Sequence, residues 1–123
     1  MNPLEPADVQ DQLANLYRAF NDRDLSNLLA AMTPDVAWPN GWEGGVVHGH
    51  DELSDYWQRQ WAEIEPTVVP TAFTTEADGR TAVTVHQVVR DKTGNVLSDH
   101  QVLHIYRFAN GLVAQMEIRE SPR

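Results

Sequence analysis

The chain has no cysteine, which removes disulfides and thiolate chemistry together. It has no apolar run of membrane-spanning length. Clustered Lys and Arg are also missing: nine basic residues stand against 18 acidic ones, a formal charge of −9. Without such clusters, phosphate backbones and anionic membrane surfaces are poor partners, so neither nucleic acid nor membrane is expected. The opening "MNPLEPADVQDQL" lacks the basic-then-apolar plan of a signal peptide, and the expectation is a cytoplasmic protein. The acidity is uneven. Residues 1–65 hold 12 acidic and three basic side chains, residues 66–123 six of each.

What is present is enough for one domain. At 123 residues and 41% hydrophobic, the chain can bury a real core and is read as a single domain over 1–123. Four tryptophans, Trp38, Trp42, Trp57 and Trp61, fall within 24 residues. That clustering is either a Trp-rich core or the aromatic lining of a ligand cavity.

The periodicities change character halfway along. Asp8 is a plausible N-cap for a helix in which Val9, Leu13, Leu16, Tyr17 and Phe20 recur at helical spacing. Asp24 caps a shorter helix, "LSNLLAAM", stopped by Thr33-Pro34. "DVAWPN" reads as a strand with Val36, Trp38 and Asn40 on one face. "GWEGGVVHGH" reads as a loop with a brief extended piece. A third helix runs from His50 or Asp51 to Ile64, with Leu53, Trp57, Trp61 and Ile64 as its stripe and Pro66 beyond its end. After that the pattern is β. "TVVPTAFTTEADGR" turns at Asp78-Gly79, "TAVTVHQVVRDKTGNVLSDHQVLHIYRF" is a hairpin turning at Lys92–Asn95, and "ANG" turns into "LVAQMEIRE". Helices first and a meander afterwards predict an α+β fold, with helices on one face of a curved antiparallel sheet.

Sheet register separates the polar residues that face inward from those that do not. Val83, Val85, Gln87 and Val89 share one face, and so do His100, Val102, His104, Tyr106 and Phe108. Ala114, Met116 and Ile118 are assigned the same side. Leu103, Ile105, Val113 and Val88 fall on the other. Inward faces thus hold Gln87 and His104 among apolar neighbours.

The strings "AFNDRDLSNLLAAMTPDVAW", "VVHGHDELSDYW" and "HIYRFANGLVAQM" resemble the nuclear-transport-factor-2-like superfamily, especially its SnoaL-like polyketide cyclase and ketosteroid isomerase branches. The resemblance runs from about Val9 to Glu117. It implies a cystatin-like cone, in which three N-terminal helices close a curved antiparallel sheet around a pocket. It also implies a homodimer through the outer sheet face, where Leu103, Ile105, Val113 and Val88 would lie. Carried over position by position, the isomerase's base falls on Asn40, an amide that cannot take a proton. Its helix-1 tyrosine falls on Leu16, with Tyr17 turned by about 100°. Its protonated Asp falls on His104, which can still donate a hydrogen bond. The isomerase is itself a standard case of a carboxylic acid held neutral by its site, and these departures argue against that mechanism here.

The candidate site is therefore His104, Gln87 and Asn40 as catalytic or orienting groups, with Trp38, Tyr17, Leu16, Trp57, Trp61 and Met116 lining the pocket. Each has a plainer alternative. His104 suits a core histidine bonded to a carbonyl, Gln87 a backbone-bonded amide, and the tryptophans ordinary helix-on-sheet packing. Trp42 suits a lid or an interface anchor. His48, His50 and His100 lack convincing ligand spacing, so no metal and no cofactor is expected. His86 is placed on the outer face. The leading expectation is an enzyme of SnoaL-like type, using acid–base chemistry on an apolar, oxygenated small molecule. The other is a non-catalytic binder of a hydrophobic ligand or partner chain.

Overall fold

The computed structural model describes residues 6–41 and 43–120. Trp42 lies outside the described residues. Helix α1 (Pro6–Asn21) begins before Asp8, which sits in its first turn rather than at its cap. Leu13, Leu16 and Tyr17 are buried along one face, three and four residues apart. The helix is clipped to the sheet at its C-terminal end: the Asn21 side chain donates to the Val68 carbonyl at 2.7 Å and accepts from the Val68 amide at 2.9 Å. Asp24 caps α2 (Leu25–Ala30), accepting from the Asn27 amide.

The first strand, β1 (Met32–Pro39), is longer than "DVAWPN" suggests and starts directly after α2. A short β2 (Val46–His48) leads into α3 (Gly49–Glu63), which buries Leu53, Tyr56 and Trp57. Four long strands follow: β3 (Glu65–Thr75), β4 (Thr81–Arg90), β5 (Val96–Ala109) and β6 (Leu112–Glu120). The β5–β6 turn has Asn110 and Gly111 both at positive φ, 54° and 80°, as a two-residue hairpin turn requires.

The six strands run in the order β2-β1-β6-β5-β4-β3. The meander β3 to β6 is antiparallel, as the alternation predicts, but β1 lies parallel to β6. The helices cover the concave face, and the core there is built from Leu13, Leu28, Val36, Leu53, Trp57, Val83, Val85 and Tyr106.

The outer face departs from the sequence expectation. Register slips between Arg107 and Phe108, where Arg107 opposes Gln115 but Phe108 opposes Val113. Ala114 is the extra residue, and it turns Val113 into the core, where it is fully buried. Ile105 stays outside that core cluster yet is only 1% exposed. Around it lie Arg80 bonded to Glu117 (3.1 Å) and Arg119 bonded to Glu76 (2.8 Å). Of the four apolar residues assigned to this face, only Leu103 and Val88 are partly accessible.

Candidate functional site

The sheet curves around a cavity of about 400 Å³, closed on the far side by α1 and α3. Its lining follows from register. On the concave face, Val83 pairs with His104 and His104 with Ile118. One rung along, Val85 pairs with Val102; the next pairs Gln87 with His100, and the one after that Val89 with Ser98. Leu16, Tyr17 and Phe20 of α1 and Tyr56, Trp57 and Gln60 of α3 face these rungs across the cavity. Trp38 of β1 meets Trp57 edge-on at 5.3 Å between centroids and tilts over Tyr106 at 6.1 Å. Most of the wall is thus aromatic or aliphatic. Among the described residues no Asp, Glu, Lys or Arg lines it.

The deep end is polar, and it is ordered by a three-residue relay. Tyr106 donates its hydroxyl hydrogen to the Tyr17 oxygen at 2.8 Å. That leaves the Tyr17 hydrogen to reach Nδ1 of His104 at 2.9 Å. With Nδ1 accepting, the imidazole carries its proton on Nε2, a tautomer assigned from this network. Nε2 makes no hydrogen bond to any described residue, on a side chain that lines the cavity. The ring of His104 also stacks on Tyr17, 5.8 Å between centroids and 19° between planes.

Burial sets the charge state of all three groups. Desolvation pushes His104 down from 6.5 to about 4, so the ring is neutral at pH 7. Tyr17 is pushed well up by burial and then by the neighbouring Tyr106, and Tyr106 is pushed up by burial as well. The relay is therefore uncharged, with both phenols protonated and the imidazole neutral. It presents one N–H to the cavity and little basicity.

The sequence-predicted residues divide between the wall and its surroundings. His104, Gln87, Trp38, Tyr17, Leu16, Trp57 and Met116 all line the cavity. Tyr17, expected to be turned away from the isomerase position, is the residue that reaches His104. Gln87 does not bond to His104; its carboxamide has no hydrogen bond among the described residues. Asn40 does not line the cavity. Its amide donates to Glu43 at 3.1 Å and its oxygen accepts from the Glu43 backbone at 2.7 Å, so it organises the loop after β1. Arg59 of α3 holds the same Glu43 at 2.6 Å and 2.8 Å. That ion pair keeps the Glu43 carboxyl below its ordinary range.

Trp61 also stands behind the wall. It stacks on Trp57 at 6.0 Å, meets Phe20 edge-on, and carries the Arg23 guanidinium over its ring at 5.3 Å. Sequence reasoning missed Tyr56, Phe20 and the role of Tyr106. Tyr56 follows Leu53 by three residues, a signal that was legible; the Tyr106–Tyr17 bond joins residues 89 apart and was not. The other histidines do other work. His50 bonds the Met32 carbonyl, and His86 bonds Asp99 on the outer face, where it was expected. No metal-holding group of His, Asp and Glu occurs among the described residues.

The SnoaL-like domain profile matches residues 13–116. A nuclear-transport-factor-2-like protein of unknown function from Burkholderia pseudomallei is 28% identical, with 93% of this chain and 91% of that one covered and a TM-score of 0.79. TerC, co-crystallised with polyporic acid, is 25% identical over 93% of this chain and 91% of its own, at a TM-score of 0.77. RV0760c from Mycobacterium tuberculosis, solved with estradiol-17β-hemisuccinate, shares the fold at 18% identity, 90% and 92% coverage and a TM-score of 0.77. No curated protein sequence matches significantly.

Proposed function

Because the chain belongs to the SnoaL-like domain family, we propose that its cavity takes up an apolar, oxygenated small molecule and polarises a carbonyl oxygen through His104. One observation carries this reading: the relay Tyr106 to Tyr17 to His104 leaves a neutral, desolvated N–H as the free donor at the deep end of an apolar cavity. A fixed donor in a water-poor site stabilises charge developing on a carbonyl oxygen far better than water does. A neutral ring also does not lose its proton to the oxygen it polarises. His104 thus acts as an electrophilic donor and not as the general acid or base expected from sequence. Asn40 drops out of the chemistry, and Gln87 keeps an orienting role.

The reaction class is enolisation-type isomerisation or cyclisation: His104 holds the carbonyl oxygen as it becomes an enolate, while solvent water at the mouth takes the α-proton and returns one, since the lining holds no carboxylate among the described residues. That same missing carboxylate favours a second reading, a binder that holds the carbonyl compound without turning it over. The similar TerC, co-crystallised with polyporic acid, supports both. A homodimer and a cytoplasmic location belong to the same proposal; no described helix is long and apolar enough to cross a membrane.

The test is α-proton exchange of aromatic ketones in D₂O, followed by NMR with wild type and with His104→Phe. The enzyme reading expects exchange that falls by about 10²–10³-fold on losing one such donor. Saturable, His104-dependent binding with no exchange selects the binder. Ketones that do not bind at all overturn both.

A further inference from the structure

The concave rungs alternate in a way the deep relay does not use. His104 stands on one rung, and the next, Val85 with Val102, is wholly apolar. The rung after that is polar again: Gln87 pairs with His100, and both line the cavity. Neither side chain makes a hydrogen bond among the described residues. Gln87 is half-buried, whereas His100 is exposed at the mouth. Gln87 lines the cavity without a hydrogen-bond partner among the described residues, so its carboxamide is available to a ligand group that reaches the mouth. His100 precedes His104 by four positions on β5, about 13 Å along the strand.

We propose that Gln87 and His100 form a second polar station at the mouth of the cavity, and that the ligand is an elongated, neutral molecule with an oxygen at each end. This rests on the reading of His104 as the carbonyl donor, and it deepens that reading by fixing length and polarity. The deep station donates to a carbonyl. The outer station can both donate and accept, so it suits a hydroxyl or a second carbonyl. The apolar rung between them, with Trp38 and Trp57 across the cavity, takes a flat hydrocarbon body. Neutrality of the body and the deep end follows from the wall, which holds no described Asp, Glu, Lys or Arg.

The experiment compares two rigid probes of one shape, 4-acetyl-4′-hydroxybiphenyl and 4-acetyl-4′-methylbiphenyl, by calorimetry. Wild type should bind the hydroxyl probe about tenfold more tightly, the gain expected of one or two further hydrogen bonds. In the double variant Gln87→Leu, His100→Leu that preference should vanish. In His104→Phe both probes should weaken together and the preference should persist. Equal affinities in wild type, or a preference that survives the double variant, overturn the outer station alone, provided that the methyl probe still depends on His104. If neither probe binds wild type, or His104→Phe changes nothing, the carbonyl site fails and the outer station falls with it. A melting curve on each variant separates lost recognition from lost fold.

Discussion

His104 is buried without a charge partner, and its titration is tied to folding. Its folded value of about 4 lies below the 6.5 of an unfolded imidazole. Between the two the unfolded chain binds more protons, so stability rises with pH there. The contribution is complete above 6.5 and is lost as pH falls toward 4. In total it amounts to about 3 kcal/mol for this one group. Urea unfolding between pH 7.5 and 4.5 should show wild type losing stability more steeply than His104→Gln; parallel curves would mean that the ring titrates as a surface group. Tyr17 belongs to the same scale. Its hydroxyl is the shared partner of two buried groups, so Tyr17→Phe strands both the Tyr106 O–H and Nδ1 of His104. We expect a cost of about 2 kcal/mol by chemical denaturation, more than a lone hydroxyl is worth. A loss below half a kcal/mol would show that the relay does not form.

At the scale of the element, strand alternation carried most of what the sequence could tell about function. In β4 and β5 the valine face and its two polar interruptions, Gln87 and His104, were readable because both strands are regular through that stretch. In β6 the same logic failed at Val113, because a single extra residue inverts everything on one side of it and leaves no mark in a hydrophobicity pattern. Asn40 failed for a different reason. Strand parity put it beside Trp38, but β1 ends at Pro39 and the next residue already serves the loop. Trp61 shares a helical stripe with Trp57, yet the stripe is wider than the cavity, and its far edge packs on Phe20 and Arg23 instead. The loop prediction follows. Asn40→Leu should destabilise by about 1–3 kcal/mol, since it removes bonds that a buried carboxamide makes. It should change the affinity for a biphenyl ketone less than twofold, because the side chain is not in the wall. A tenfold loss of affinity would return Asn40 to the site.

For the whole molecule, the corrected outer face changes how assembly is tested. Ile105 and Val113 are buried within one chain, so lysine at either would unfold the protein rather than divide a dimer. Val69, 48% exposed, and the partly accessible Val88 and Leu103 are apolar groups of this face that a second copy could cover. Wild type should sediment at roughly twice its 13.9 kDa, and Val69→Lys with Leu103→Lys should sediment as a folded monomer. A wild type that stays monomeric at high concentration removes the dimer. The sheet order has a further consequence, for how the chain is made. β1 pairs with β6, joining Met32 to Val113, while the pairings among β3 to β6 are all between sequence neighbours. During synthesis the helices and β1 emerge first, with no strand alongside β1 except the three residues of β2. The meander can zip up locally, but the first third of the chain must wait for the last-made strand before its own edge is covered. Folding should therefore close late and slowly, at a contact of high sequence separation. A nascent chain stalled before Leu112 would hold a β1 paired with β2 alone and an open apolar face, the form in which this protein is most exposed to chaperones and to aggregation.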